Sequence, residues 1–118
     1  MPWQYDQSSG EMSFNGKVVA TGYAGKGAAK NDPTKENLPY SGPIPRGKYK
    51  IGSAYKHNSL GTIVMNLDPV GHNALGRTHF RIHGDDTTGT ASEGCIIMPR
   101  FARDQISKSN DKILIVVK

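Results

Sequence analysis

The sequence predicts a mainly β domain with one short helix, and three observations lead to this prediction. The chain has 118 residues, of which 36% are hydrophobic, so it can bury one modest core. It contains 14 Gly and 7 Pro, which indicates many turns and few long helices. Its apolar residues fall in short runs that alternate with polar ones, as half-buried strands require. We therefore expect one domain over residues 1–118.

The N-terminal region predicts strands joined by a tight hairpin. Trp3 and Tyr5 alternate with polar residues, and Asn15-Gly16 separates the runs 11–14 and 17–23. Asn-Gly is typical of a type I′ turn, because both central residues must take a positive φ. The apolar residues 18–20 predict a buried return strand.

Residues 22–42 follow no strand or helix period and predict a long loop. A plain surface loop explains this composition. A loop that faces a substrate explains it as well, since long loops in small domains often carry function.

The second half of the chain predicts strands over residues 48–51, 62–67, 79–83 and 113–117. Residues 55–60 and 68–77 are rich in polar and turn-forming residues and predict loops. The period of two in strand 79–83 would place His79, Arg81 and His83 on one face. The apolar run 113–117 is expected to form a central strand.

Pro99 predicts the start of the helix, because proline is tolerated in a first helical turn. The 3.6-residue period would bring four apolar residues to its buried face and leave Arg103 mostly outward. Those four residues are Met98, Phe101, Ala102 and Ile106.

The formal charge of +5 and the pI near 9.4 favour a partner of opposite sign. The basic residues are scattered and no RNA-binding aromatic signature is present, so we expect no nucleic-acid partner. Anionic cell-wall polymers and peptide carboxylates fit the charge equally well. The longest apolar run is far shorter than a membrane span, so no membrane insertion is expected.

Cys95 is the only cysteine, and its surroundings favour catalysis over the usual role of a lone cysteine as a small buried hydrophobe. His83 precedes it in the chain and can serve as the base that a thiol nucleophile needs. The amides of Gly94 and Cys95 could form an oxyanion hole. Side chains that could orient the pair are Ser92, Asp85 and Asp86. For the two aspartates, a solvated turn is at least as good an explanation.

A metal site is the alternative for this region, because His79, His83, Asp85, Asp86 and Cys95 are all metal-ligand types. The two histidines would lie roughly 13 Å apart along an extended strand, too far to share one zinc ion. We therefore expect no metal and no other cofactor.

A set of segments in fixed order covers nearly the full chain and carries a family resemblance. The set comprises Trp3 and Tyr5, Gly22-Tyr23-Ala24-Gly25 with Lys30-Asn31, residues 42–49, Phe80-Arg81-Ile82-His83-Gly84, and residues 92–99 with Arg103. It resembles the small L,D-transpeptidase-like toxins that type VI secretion systems deliver into rival bacteria. The resemblance implies an L,D-transpeptidase-like β-sandwich or partly open barrel, with one short helix after the catalytic cysteine.

The resemblance also implies roles for individual residues. Cys95 would be the nucleophile and His83 the general base, the Gly84 carbonyl would hold the imidazole tautomer, and the Gly94 and Cys95 amides would hold the oxyanion. Glu93 stands where ordinary L,D-transpeptidases have His, and the interval from His83 to Ser92 is shorter than theirs; both departures agree with the toxin branch. The substrate-binding residues that we expect are Tyr23, Lys30, Asn31, Glu93, Asp85 and Arg103.

The implied activity is that of an L,D-carboxypeptidase, an L,D-transpeptidase that exchanges terminal D-Ala for a D-amino acid, or both. The implied partners are peptidoglycan stem peptides, components of the secretion system and a cognate immunity protein. The producer would secrete the protein through type VI secretion, and the protein would act in the periplasm of the target cell. A papain-like peptidase would place its cysteine before its histidine, and a non-catalytic basic wall-binding module would need no such pair.

Overall fold

In the computed structural model, residues 2–85 and 92–118 are described, and over these residues ten strands form one mixed sheet. The mainly β class is thereby confirmed, and the sheet is not closed into a barrel. The strands are β1 (Trp3–Asp6), β2 (Glu11–Phe14), β3 (Lys17–Thr21), β4 (Tyr23–Ala24), β5 (Gly47–Ile51), β6 (Tyr55–His57), β7 (Gly61–Val70), β8 (Arg81–His83), β9 (Ile96–Ile97) and β10 (Ile113–Val117).

The sheet has the order β3-β2-β1-β10-β5-β7-β8-β9-β4, with β6 paired to β7. Strand β10 runs parallel to β1 and antiparallel to β5, so the predicted central position of the last strand is confirmed. Leu114 and Val116 of β10 are buried on one face, as the alternation of the sequence requires. One continuous hydrophobic cluster then links this half of the sheet to β7, β8, β9 and the helix.

The predicted hairpin between β2 and β3 is confirmed, with φ of 52° at Asn15 and 79° at Gly16. The prediction that its return strand is buried is wrong for Val18, whose side chain is 54% exposed. Strand β3 lies at the edge of the sheet and pairs only with β2, so the core covers just part of it, at Ala20.

The sequence missed two strands, β4 and β6, in regions that predicted loops. Strand β4 pairs with β9, and β6 pairs with β7, so each short strand forms along the edge of a strand from a distant or following part of the chain. Two or three residues are too few to show a period of two. Strand β7 is also longer than predicted and reaches Val70.

The strand predicted over 79–83 is shorter and begins at Arg81. His79 has a φ of 66°, outside extended geometry, so it does not continue the face of Arg81 and His83. Strand β8 therefore consists of the three residues 81–83, which lie between β7 on one side and β9 on the other.

Helix α1 (Arg100–Lys108) begins directly after Pro99, as predicted, and buries Ala102 and Ile106. Phe101 is 61% exposed, so its predicted place on the buried face is wrong. The outward position predicted for Arg103 is also wrong: its guanidinium is half-buried and donates to the carbonyls of Thr62 (2.6 Å) and Met98 (3.0 Å). The bond to Thr62 ties α1 to the start of β7.

Over residues 2–85 and 92–118, no helix combines the length and the apolarity that a membrane span requires.

Candidate active site

One open cavity of about 510 Å³ brings the predicted nucleophile and base to the same surface. Strand β8 supplies His83, and Cys95 directly precedes β9, which runs parallel to β8. Since Ile82 faces Ile96 in this register, Cys95 arrives beside Arg81. The charged residues that share the lining with Cys95 and His83 are Arg77, Arg81 and Glu93, and a second histidine, His79, lies there as well.

His83 is only 2% exposed, and its ring is fixed by the next residue in the chain. Its Nδ1 lies 2.8 Å from the carbonyl oxygen of Gly84, which can only accept a hydrogen bond. Nδ1 therefore carries the proton, and Nε2 of the neutral ring is left as an acceptor. Burial lowers the pKa of His83. The hydrogen bond to Gly84 acts in the opposite direction, and the charges of Arg103 and Arg81 lower the pKa further.

Cys95 is half-buried, and its sulfur donates to the carbonyl of His79 at 3.6 Å. Burial raises the pKa of the Cys95 thiol, although the Arg81 backbone amide and the Arg81 and Arg77 charges act in the opposite direction. The raised thiol pKa and the lowered imidazole pKa both favour neutral side chains at the two positions in this cavity. If Cys95 is the nucleophile, its proton would then move to the imidazole during attack rather than before it.

Ser92 shapes the loop before Cys95 and does not touch the sulfur or the ring in any bond that the described residues show. Its hydroxyl is fully buried, donates to the Cys95 carbonyl (2.6 Å) and accepts from the amides of Gly25 (2.8 Å) and Gly94 (3.1 Å). A hydroxyl offers one donor and two acceptor sites, so all of its capacity is used. Ser92 therefore joins the loop to the residue after β4.

The bond from Gly94 to Ser92 corrects the predicted oxyanion hole. The prediction paired the Gly94 and Cys95 amides as the two donors, but the Gly94 amide donates to the Ser92 hydroxyl in this structure. Gly94 has a φ of 129° and no room for a side chain against Arg77 and Phe80, which explains why glycine is needed here. Of the two predicted oxyanion-hole donors, the Cys95 amide remains.

Arg77 was not predicted as a site residue, and it joins two segments that border the cavity. Its guanidinium donates to the carbonyls of Glu36 (2.6 Å), Pro43 (2.9 Å) and Gly42 (2.9 Å), and to that of Glu93 (3.2 Å). It is 9% exposed and lies over the Phe80 ring at 5.1 Å. No local pattern marks such a residue, because its partners come from distant parts of the chain.

Glu93 is the only predicted substrate-binding residue in the lining of the cavity that the structure describes. Its carboxylate lies 3.7 Å from Lys26 Nζ. Tyr23, Asp85 and Lys30 form a separate cluster, in which the Tyr23 hydroxyl donates to Asp85 at 2.5 Å and Lys30 Nζ lies 4.2 Å from the Tyr23 ring centre.

Asn31 and Arg103 serve the backbone instead of the cavity. The Asn31 side chain accepts from the Ala24 amide at 3.1 Å, which holds β4 in place. Arg103 makes the carbonyl bonds described above and lies against Gly84. Asp86, predicted as a possible orienting group, lies outside the described residues.

Over residues 2–85 and 92–118, no group of three or more His, Cys, Asp or Glu side chains is placed to hold a metal ion.

The protonation states predict how Cys95 reacts with iodoacetamide. Because burial raises the thiol pKa above its ordinary 9.0, we expect slow alkylation at neutral pH and a steep rise only above pH 9. Mass spectrometry of the protein after timed exposure across a pH series measures this rate. Alkylation that is already at its plateau below pH 7 would show a preformed thiolate–imidazolium pair and contradict the prediction.

The model of the Tlde1 domain family matches residues 18–115, which is most of the chain. No curated protein matches this chain.

Proposed function

Because the chain belongs to the Tlde1 domain family, whose members are type VI secretion effectors with L,D-transpeptidase-like activity, we propose that it modifies peptidoglycan stem peptides through Cys95. The observation that supports this most directly is the shared cavity of Cys95 and His83. The contact between His83 Nδ1 and Gly84 leaves Nε2 free to accept a proton, as a general base requires. In this proposal residues 1–118 act as one catalytic domain.

The reaction begins when the Cys95 sulfur attacks the carbonyl carbon of the L-centre residue of a stem tetrapeptide, at its bond to the terminal D-Ala. His83 accepts the thiol proton and returns it to the leaving amine, so that the C–N bond breaks and D-Ala departs. The product is a thioester between Cys95 and the shortened stem. Attack by water completes an L,D-carboxypeptidase reaction, and attack by the amine of a free D-amino acid completes an exchange.

Either outcome removes donor stems from wall cross-linking, which makes the protein an antibacterial toxin. The substrate lies in the periplasm of the target cell, so we place its action there after type VI secretion by the producer. A producer exposed to the same enzyme needs a cognate immunity protein, and we propose one that covers the cavity.

Purified muropeptides test the reaction directly. Incubation with the protein is expected to convert tetrapeptides to tripeptides with the loss of one alanine residue, or to exchange that residue when a free D-amino acid is added. Mass spectrometry of the products distinguishes the two. Muropeptides that stay unchanged but bind the protein would instead support a non-catalytic wall-binding module.

Expression in a susceptible bacterium tests where the substrate lies. The protein with an added export signal is expected to arrest growth and lyse cells, whereas the same protein without the signal should be harmless. Equal killing from the cytoplasm would contradict a peptidoglycan target.

A further inference from the structure

Arg81 is a cavity residue for which the catalytic proposal has no role. It lies two positions before His83 on β8, so the two side chains leave the strand on the same face. Both line the cavity with Cys95. We propose that the Arg81 guanidinium binds a carboxylate of the stem peptide and thereby determines which peptides are cleaved; this inference rests on the proposed function.

The orientation of Arg81 is set by residues of two neighbouring strands. Its Nε donates to the Tyr55 hydroxyl at 3.2 Å, and that hydroxyl donates its own proton to Asn66 Oδ1 at 2.6 Å. The phenol has a single proton, so its oxygen is available to accept from Arg81. A guanidinium held in this way by β6 and β7 loses less conformational entropy when it binds a ligand.

The terminal nitrogens of Arg81 differ from those of the other two arginines beside this region. Arg77 uses both of its terminal nitrogens on backbone carbonyls, and Arg103 uses Nε and Nη1 on carbonyls. Within the part of the chain that the structure describes, Nη1 and Nη2 of Arg81 have no hydrogen-bond partner. Two parallel N–H donors on one guanidinium match the two oxygens of a carboxylate.

The charge of Arg81 also lacks a counter-ion in the described lining of the cavity. Glu93 is the one carboxylate of that lining, and its ion-pair partner is Lys26. An arriving carboxylate would therefore meet a cation that no acidic side chain of the lining has neutralised. This favours an acidic ligand over a neutral one.

The position of Arg81 fits a group close to the reacting bond. Its residue lies beside Cys95 in the β8–β9 register. In the proposed reaction, the carboxylate of the departing residue lies one residue, about 3.8 Å, beyond the attacked carbonyl. A stem peptide also presents a second carboxylate when its third residue is a diamino acid with an acidic side-chain end. Both groups have the chemistry that the guanidinium recognises.

Three synthetic tetrapeptides separate these sources: one with both carboxylates free, one with a terminal carboxamide, and one with a carboxamide on the third side chain. For the wild-type protein we expect kcat/KM to fall about 10- to 100-fold for one of the two amidated peptides. Arg81→Gln should lose a similar factor on the free acid and treat that amidated peptide and the free acid alike. The carboxylate that Arg81 binds is the one whose amidation slows the wild-type protein but not Arg81→Gln.

Arg100→Gln is the matched control, because it removes the same charge from an exposed site outside the cavity. It should keep the wild-type discrimination, and Tyr55→Phe should weaken it by a smaller factor. An Arg81→Gln protein whose thermal unfolding is unchanged but which loses activity equally on all three peptides would overturn the inference, since Arg81 would then act on the thiol. So would an Arg81→Gln protein that still discriminates.

Failure of the proposed function gives a different result. If the wild-type protein cleaves none of the peptides and calorimetry with Cys95→Ala detects no binding, both proposals are overturned. Binding that depends on Arg81 and on one carboxylate, without any cleavage, would overturn the reaction and support the carboxylate site. Cleavage of all three peptides at equal rates would overturn the carboxylate site alone.

Discussion

Replacing Cys95 by alanine is expected to abolish both muropeptide conversion and periplasmic toxicity, with a loss of at least about 10³-fold in rate. The reason is that no other cysteine exists in the chain to form the thioester. Product masses and growth curves after export measure the two effects. The substitution removes one half-buried sulfur, so the midpoint of thermal unfolding should change little.

His83→Gln provides the companion measurement, because it removes the base and keeps a polar side chain of similar size. We expect the rate to fall about 10²- to 10⁴-fold, the usual contribution of a positioned proton acceptor. A Cys95→Ala protein that remains fully toxic would refute the thiol mechanism outright. A normal rate in His83→Gln would require another base for the same sulfur.

Replacing Arg77 by methionine is expected to lower the free energy of unfolding by about 3–5 kcal/mol. The substitution leaves the four carbonyls that Arg77 binds without this donor, and three of those bonds hold the segment between Glu36 and Pro43. The fourth holds Glu93, two residues before Cys95. Urea titration of the purified protein measures the loss, and activity should fall with it because the cavity wall is no longer fixed.

Arg100→Met is the control for this effect, since Arg100 is exposed at the start of α1 and should change stability by no more than about 0.5 kcal/mol. Arg77→Lys should fall between the two, because an ammonium has three donors but not the flat fork that reaches both segments. A change of less than about 1 kcal/mol in Arg77→Met would show that water or other groups replace these bonds.

The parts of the fold that the sequence predicted well are those where local chemistry decides the structure. Asn15-Gly16 has a strong intrinsic preference for positive φ, and the hairpin forms there. Pro99 precedes a run with a helical period, and the helix begins after it. The five consecutive apolar residues 113–117 predicted a central strand from their composition alone, and β10 forms there.

The parts that the sequence predicted poorly depend on partners that are distant in the chain. Strand β4 exists because β9 provides hydrogen bonds, and β6 because β7 does. Phe101 has the correct helical spacing but lies beyond the edge of the core, so periodicity alone misplaced it. In each of these cases the structure depends on which distant residues lie next to the segment, and a local sequence pattern does not contain that information.

The candidate site shows the same division. Cys95 and His83 can be singled out as candidates because a thiol and an imidazole are recognisable wherever they stand in the sequence, and the fold brings both to one cavity. The oxyanion donors cannot be, because the availability of the Gly94 amide depends on whether Ser92 reaches it. Arg77 and Arg81 look alike in the sequence, and only the fold distinguishes them. Both terminal nitrogens of Arg77 bind carbonyls, whereas those of Arg81 have no hydrogen-bond partner among the described residues.

The placement of β10 between β1 and β5 has a consequence for how the molecule folds. Strand β10 is synthesised last among the strands, yet it pairs with the first strand and with one from the middle of the chain. Such non-local pairings lower the folding rate, because distant parts of the chain must meet before they form. Refolding of the purified protein should therefore be slow for a protein of this size. A nascent chain from which β10 has not yet emerged lacks the strand that joins β1 to β5, so it should remain without enzymatic activity until synthesis has passed residue 117.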